Sequence, residues 1–136
     1  LRQKRLRELL GRPFTGTGYR NGVPYKVKLV KVDGKPTGIP TAKAYLKMQA
    51  AAKRAGIHLQ VVSGFRTYAH QAHLYRTMPP GYAARPGYSN HQNGIALDLN
   101  TGSFSSATYN WLTRNAHRFG FERTVPHEHW HWEYRR

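Results

Sequence analysis

The stretch that decides the fold runs from residue 88 to residue 100 and reads Tyr-Ser-Asn-His-Gln-Asn-Gly-Ile-Ala-Leu-Asp-Leu-Asn. It begins as a polar turn that contains glycine and continues into a short apolar strand over residues 95–99. His91 lies in the turn, and Asp98 lies between two leucines on the strand. Burying a carboxylate without a partner costs several kcal/mol, so Asp98 requires a metal ion, an arginine or a helix terminus beside it.

A second cluster of metal-binding residue types lies near the C-terminus, where residues 127–132 read His-Glu-His-Trp-His-Trp. A catalytic zinc site needs about three nitrogen or oxygen ligands and one open position. His91, Asp98 and His131 can supply these ligands from two separate segments, with the other two histidines of the cluster as rival ligands. Four further histidines are interpreted as packing or surface residues: His58, His70, His73 and His117.

Two other residues suit roles in hydrolysis. Glu128 precedes His131 by three positions, so both side chains can point at one place and the carboxylate can take a proton from a water. Arg66 ends the run Ser-Gly-Phe-Arg after a predicted strand. A cation there can hold a substrate carboxylate or stabilise a developing oxyanion.

A nucleophilic triad of Ser89, His91 and Asp98 is the alternative, and it is disfavoured. All three residues lie in one short segment, and the chain has no Gly-x-Ser-x-Gly nucleophile elbow. Cysteine is absent, which excludes disulfides, thiolate ligands and a cysteine nucleophile.

The composition describes one basic globular domain of 136 residues. Its 22 Lys and Arg against 6 Asp and Glu give a net charge of +16, which attracts anionic partners. Bacterial wall polymers and membrane surfaces qualify, whereas no nucleic-acid-binding fingerprint interleaves the basic residues, so we expect no nucleic acid. No apolar run is long enough to span a bilayer, and a chain that opens on leucine is expected to be a mature or trimmed product.

The pattern of segments predicts an α+β fold: a single small domain with a short antiparallel sheet, helices packed on it and the metal site at the strand ends. Residues 1–39 are expected to form a basic N-terminal segment and hairpin of the same domain, and residues 40–136 its core. Predicted helices cover residues 1–10, 41–55 with Thr41 as N-cap, 68–77 and 107–119. Predicted strands cover residues 25–32, 57–63, 95–99, 121–125 and 130–134.

These motifs resemble the LAS-type zinc peptidases of the D-alanyl-D-alanine carboxypeptidase group, which includes VanY-like carboxypeptidases and phage endolysin endopeptidases. The family pattern Ser-x-His-x-x-Gly-x-Ala-x-Asp is matched by Ser89, His91, Gly94, Ala96 and Asp98. The pattern Glu-x-Trp-His is matched by Glu128, Trp130 and His131. Further matches are the run at residues 63–66, Gln71 and the aromatic helix before Phe119-Gly120-Phe121, so the resemblance covers residues 40–134.

The resemblance implies a hedgehog-like zinc peptidase fold with one zinc ion on His91, Asp98 and His131. Glu128 is then the catalytic base, and Arg66 faces the substrate. The expected substrate contacts are Ser89, Gln71, Tyr88, Trp130 and His129. The chain departs from the common pattern in having His129 where many members have Pro and Glu133 where many have Arg.

The function implied is hydrolysis of amide bonds in peptidoglycan stem peptides, by a D,D-carboxypeptidase or an endopeptidase. The expected partners are peptidoglycan and anionic polymers of the cell envelope. We expect a monomer that is secreted or periplasmic and associated with the cell wall, or a phage lysin. The competing hypothesis is a non-catalytic cationic module that binds wall polymer or nucleic acid.

Overall fold

A computed structural model describes residues 2–136 of the chain. Leu1, where we predicted the first helix to start, lies outside the described residues. The helices are α1 (Gln3–Leu9), α2 (Ile39–Arg54), α3 (Tyr68–Thr77) and α4 (Ala107–Asn115), with a 3-10 turn at Ala116–Phe119. The strands are β1 (Phe14–Arg20), β2 (Val23–Val32), β3 (Lys35–Gly38), β4 (Val61–Ser63), β5 (Ala96–Leu99), β6 (Phe121–Glu122) and β7 (His131–Tyr134). No helix in the described part of the chain is long and apolar enough to cross a membrane.

The strands form two antiparallel sheets rather than the one that we expected, and the α+β class is confirmed. The first sheet has the order β1-β2-β3, and the second has the order β4-β5-β7-β6. Strand β5 is central in the second sheet, where Asp98 pairs with Ser63 on one side and with His131 on the other. This register brings residues that are distant in sequence to one end of the sheet.

The first sheet contains two strands that the sequence analysis did not assign, β1 and β3. Strand β1 reads Phe-Thr-Gly-Thr-Gly-Tyr-Arg, and its glycines weaken the strand signal. The two-residue turn Asn21-Gly22, with φ angles of 50° and 80°, joins β1 to β2. A similar turn at Asp33-Gly34 joins β2 to β3. Such Asn-Gly and Asp-Gly turns favour tight hairpins.

Helix α2 begins earlier than predicted. Gly38 is its N-cap and Pro40 lies in its first turn, while the predicted N-cap Thr41 is buried inside the helix. Proline is favoured at the first helical positions because its φ angle is already helical and its missing N–H would have no partner there. Gly38 also lies so close to Gly94 that a Cβ atom on Gly38 would be 2.8 Å from the Gly94 carbonyl oxygen.

One hydrophobic core lies between the helices and the two sheets. Helix α2 contributes Tyr45 and Met48, and α1 contributes Leu6. Strand β5 contributes Leu97 and Leu99, which flank Asp98 in sequence. The core therefore fixes β5, and β5 in turn fixes the Asp98 carboxylate at the sheet end.

Candidate active site

Three ligand atoms converge at the end of the second sheet. The distances are 3.1 Å from His91 Nε2 to Asp98 Oδ1, 3.4 Å from His131 Nδ1 to the same oxygen, and 3.2 Å between the two ring nitrogens. A tetrahedral zinc ion with bonds of about 2.0–2.1 Å has neighbouring ligand atoms about 3.3–3.4 Å apart. The three atoms already have nearly the spacing of one face of such a site.

The remaining ring nitrogens orient both imidazoles toward this point. His91 Nδ1 lies 2.8 Å from the Gly64 carbonyl oxygen and must donate to it, so Nε2 of a neutral ring presents its lone pair to the cluster. His131 Nε2 lies 2.7 Å from Glu133 Oε2, and donation there leaves Nδ1 facing the same cluster. A hydrogen bond of this kind from the second nitrogen is the usual arrangement for a metal-ligating histidine.

The three ligand atoms favour a positive charge between them. Asp98 Oδ1 is buried and has no hydrogen-bond partner in the described part of the chain. Two imidazole lone pairs and a carboxylate oxygen within 3.4 Å repel one another unless a cation lies between them. These donor types and spacings fit a zinc ion.

The pKa shifts indicate the same preference for positive charge. Burial by itself would raise the pKa of Asp98, but contacts with His131, His91 and Arg66 hold this pKa well below its usual range. Burial lowers the pKa of His131, yet the carboxylates of Asp98 and Glu133 outweigh burial and raise that pKa to about 9. The surroundings thus stabilise a cation at His131 Nδ1, whether it is a proton or a metal ion.

Glu128 lies beside the cluster without belonging to it. Its Oε1 is 3.7 Å from His131 Nδ1, and its side chain remains 20% exposed. The backbone N–H of Glu128 donates to the Val125 carbonyl, which holds the turn before β7. A carboxylate at this distance can reach a water bound at the cluster and exchange protons with it.

Arg66 follows β4 and is directed at Asp98. Its Nη2 donates to Asp98 Oδ2 over 3.0 Å, and its Nη1 lies 3.4 Å from Gln71 Oε1. Burial lowers the pKa of Arg66, opposed by the charges of Asp98 and Glu128. Because one oxygen of Asp98 is bound by Arg66, the other is left facing the two histidines.

A cleft of about 450 Å³ opens over the cluster. Its wall includes both exposed aromatic residues that we expected to contact substrate, Tyr88 and Trp130. Ser89 also lies in the wall, where its Oγ accepts a hydrogen bond from the His91 backbone N–H and braces the turn. Gln71 lines the cleft as well, although most of its surface is buried, and its side-chain amide donates to the Ala84 carbonyl.

Two histidines of the C-terminal cluster stand apart from the three ligand atoms. His127 lines the rim of the cleft with a side chain that is 67% exposed. His129 was expected to contact substrate, but the structure does not place it in the cleft wall. Its Nδ1 lies 2.6 Å from Thr101 Oγ1, and its ring packs against Phe104. The reason is that β7 begins at His131, so His129 lies outside the strand and the alternation of strand residues does not bring its side chain to the face of His131.

Glu133 is the site residue that the sequence analysis missed. It lies two positions after His131 on β7, and alternate residues of a strand share a face. Its carboxylate also accepts hydrogen bonds from Asn90 Nδ2 and Arg135 Nη1. Burial would raise the pKa of Glu133, but the bonds from His131 and its other neighbours lower it to about 2. The i, i+2 spacing from a predicted ligand was the available signal.

Comparison with known proteins agrees with this geometry. Among solved structures, VanYB in complex with D-alanine-D-alanine has a TM-score of 0.70 and 27% identity, covering 85% of this chain and 83% of that one. A mutant of the vancomycin resistance D,D-pentapeptidase VanY from a VanB-type cassette, in complex with Zn(II), has a TM-score of 0.72 and 28% identity, covering 86% and 85%.

Curated relatives are similarly distant in sequence. A D-alanyl-D-alanine carboxypeptidase of Enterococcus faecalis is 31% identical over 62% of this chain and 42% of its own length. The putative carboxypeptidase YodJ of Bacillus subtilis is 31% identical over 68% of this chain and 44% of its own length. The chain thus spans less than half of the length of these relatives.

A model of the VanY family, described as D-alanyl-D-alanine carboxypeptidase, matches residues 39–136. With this match over most of its length, the chain belongs to the VanY family of D-alanyl-D-alanine carboxypeptidases.

Proposed function

We propose that the protein is a zinc-dependent peptidase that hydrolyses amide bonds in the stem peptides of peptidoglycan. The observation that carries this proposal is the convergence of His91 Nε2, Asp98 Oδ1 and His131 Nδ1 within 3.4 Å, each oriented by another bond. The titles of its structural relatives support the substrate class, since they include a complex with D-alanine-D-alanine and an LD-carboxypeptidase that recognises peptidoglycan.

One zinc ion held by these three atoms supplies a Lewis acid that lowers the pKa of a water and polarises a carbonyl. The histidines act as neutral ligands. Their other ring nitrogens donate hydrogen bonds to the Gly64 carbonyl and to the Glu133 carboxylate. Arg66 keeps Asp98 Oδ2 occupied, so that Asp98 offers one oxygen to the ion. All three residues line the cleft, so a substrate bound there would lie beside them.

Glu128 performs the proton transfers. Its carboxylate takes a proton from the attacking water while the water oxygen bonds to the carbonyl carbon of the substrate. The C–N bond then breaks, and Glu128 returns the same proton to the leaving amine. The products are a carboxylic acid and an amine, which exchange the remaining water proton to give a carboxylate and an ammonium group, and Glu128 ends in its starting state. Arg66 lies at the same end of the sheet, where its charge favours the negative charge that develops on the carbonyl oxygen.

We assign the cleavage to the terminal D-alanyl-D-alanine bond, following the descriptions of the family and of the Enterococcus relative. The test is to incubate purified peptidoglycan with the parent protein and with Glu128→Ala, and to identify the released fragments by mass. The parent should release free D-alanine from pentapeptide stems, and the variant should release none. Release of longer stem-peptide fragments or loss of cross-links instead would assign an endopeptidase. Equal release by both proteins would remove Glu128 from the mechanism.

A groove of about 550 Å³ on another surface of the domain supports a second role for the positive charge of the protein, which is binding to anionic polymers. Four exposed cations line it and form no ion pair in the described part of the chain: Lys43, Lys47, Arg118 and Arg136. We assign these cations to holding the enzyme, as a monomer, on anionic polymers of the cell envelope. Binding to such a polymer should fall steeply with salt, while hydrolysis of a small soluble peptide should not.

Because the proposed substrate is peptidoglycan, we assign the place of action to the cell wall. A secreted or periplasmic enzyme, or a phage lysin, can reach this substrate. The non-catalytic cationic module remains the competitor, and the two functions differ in whether the parent protein releases fragments. In that case His91→Ala would leave polymer binding unchanged and no fragment would be released by the parent protein.

A further inference from the structure

The turn Asn21-Gly22 between β1 and β2 touches the wall of the cleft, although it precedes the family-matched residues 39–136. The Gly22 backbone N–H donates to the Gly87 carbonyl over 2.9 Å. A Cβ atom on Gly22 would lie 2.9 Å from Tyr88 Oη and 3.2 Å from Tyr88 Cζ. The turn therefore lies directly against the phenol of Tyr88.

The hairpin that carries this turn is attached firmly to the loop of the site. The Tyr19 backbone N–H donates to the Gln92 carbonyl over 2.9 Å, next to the candidate ligand His91. Gly18 permits this approach, because a Cβ atom there would be 3.0 Å from the same carbonyl oxygen. The Tyr19 ring also packs on Tyr68 at 5.0 Å between centroids. The turn is thus a fixed support rather than a free loop tip.

Tyr88 is the residue through which this support reaches the substrate. It lines the cleft, and 47% of its surface is exposed. The Arg85 guanidinium lies 4.3 Å from the centroid of its ring. The main-chain continuation of Tyr88 is Ser89, whose Oγ braces the turn of His91. A shift of the phenol therefore changes the aromatic wall of the cleft.

We infer that Gly22 is a specificity-determining positioning residue, which sets the affinity for the peptide stem by holding the Tyr88 ring in the cleft wall. This inference rests on the proposed function, since it concerns how the same cleft binds its substrate. Gly22 acts through Tyr88 and does not touch the reacting atoms. Its effect belongs to substrate binding and not to zinc binding or to proton transfer.

The chain provides a matched control for the test. Gly22 and Gly34 occupy the second position of two similar turns, with φ angles of 80° and 77°. Alanine at either position carries a similar backbone cost, because both need the left-handed region. A Cβ atom on Gly34 meets nothing within 4 Å, whereas one on Gly22 meets Tyr88. The difference between Gly22→Ala and Gly34→Ala isolates the contact with the phenol.

The experiment measures binding and turnover separately. Binding of a soluble stem pentapeptide is measured by calorimetry with each glycine variant combined with Glu128→Ala, and kcat and KM are measured with Glu128 intact. Gly22→Ala should weaken binding and raise KM by about fivefold or more, a change that corresponds to displacing one good contact. Gly34→Ala should leave both near the parent values. Zinc content and kcat should change little in either variant.

A second experiment tests the role of the Tyr88 hydroxyl group. In a Tyr88→Phe background the oxygen that conflicts with the new Cβ atom is gone, so Gly22→Ala should have a smaller effect than in the parent. Equal changes in Gly22→Ala and Gly34→Ala, or an effect that Tyr88→Phe does not reduce, would overturn the inference and leave the proposed function intact. A parent protein that neither binds nor hydrolyses the pentapeptide would overturn both.

Discussion

Glu133→Gln should weaken zinc binding without unfolding the protein. Glu133 Oε2 accepts the Nε2 proton of His131 over 2.7 Å, and Oε1 accepts from Asn90 Nδ2 and Arg135 Nη1. Every neighbour of this carboxylate is thus a donor. A glutamine has one acceptor oxygen and one NH2 group, so either orientation of the amide points a donor at a donor.

The size of the effect follows from what His131 loses. If the amide oxygen faces His131, the hydrogen bond survives without its charge, and the amide nitrogen conflicts with Asn90 and Arg135. If the amide is reversed, His131 loses its orienting bond altogether. Loss of a carboxylate that binds the second nitrogen of a metal-ligating histidine changes metal affinity by about 10–100-fold, which is about 1.4–2.7 kcal/mol. We expect the zinc affinity to fall by that factor.

The assay is a competitive titration of zinc against a chromophoric chelator at neutral pH. The control is Glu122→Gln, which makes the same charge change on the neighbouring strand β6, where Glu122 pairs with Glu133 in the register and is exposed. Glu122→Gln should bind zinc as the parent does. If Glu133→Gln also binds zinc within about twofold of the parent, the reasoning about the orientation of His131 is wrong.

Two further predictions concern residues that hold the site in place. Asp33→Ala should lower the free energy of unfolding by about 2 kcal/mol, because Asp33 Oδ2 accepts from both Tyr45 Oη and the Val61 backbone N–H, and alanine leaves both donors without this acceptor. Urea unfolding measures this loss, and a change below about 0.5 kcal/mol would contradict it. Arg66→Lys should lower kcat/KM by about tenfold or more while zinc content is kept, because an ammonium cannot bind Asp98 and Gln71 together as the guanidinium does. Steady-state kinetics with the pentapeptide measure kcat/KM. Full activity of the lysine variant would show that catalysis does not need the simultaneous contacts with Asp98 and Gln71.

The residue types of the site could be predicted from the sequence, and their spatial arrangement could not. His91 and Asp98 lie seven residues apart in one segment, so their chemistry is visible as a local motif. His131 joins them only because β7 pairs with β5, and nothing local specifies that pairing. The resemblance to a known family supplied this long-range information. The ligand roles, the division of the chain at residue 39 and the substrate contacts stay predictions.

The failures have physical reasons in tertiary structure. Strand β1 was not assigned because glycines at positions 16 and 18 depress its strand propensity, yet Gly18 is needed where the strand approaches the Gln92 carbonyl. Thr41 resembles an N-cap in sequence, but the helix begins at Ile39 with Gly38 as its N-cap, and close contact with Gly94 excludes a side chain at Gly38. The sequence analysis noted Glu133 only as a departure from the family pattern. That pattern gave no sign of the hydrogen bond that Glu133 accepts from His131.

The central claim is that one zinc ion binds at His91, Asp98 and His131. The most direct measurement is an anomalous difference map from crystals of the zinc-loaded protein, with data on both sides of the zinc absorption edge. We predict one peak, about 2.0–2.2 Å from His91 Nε2, Asp98 Oδ1 and His131 Nδ1. A peak at His127 or His129 instead, or no peak within bonding distance of these three atoms, would contradict the account.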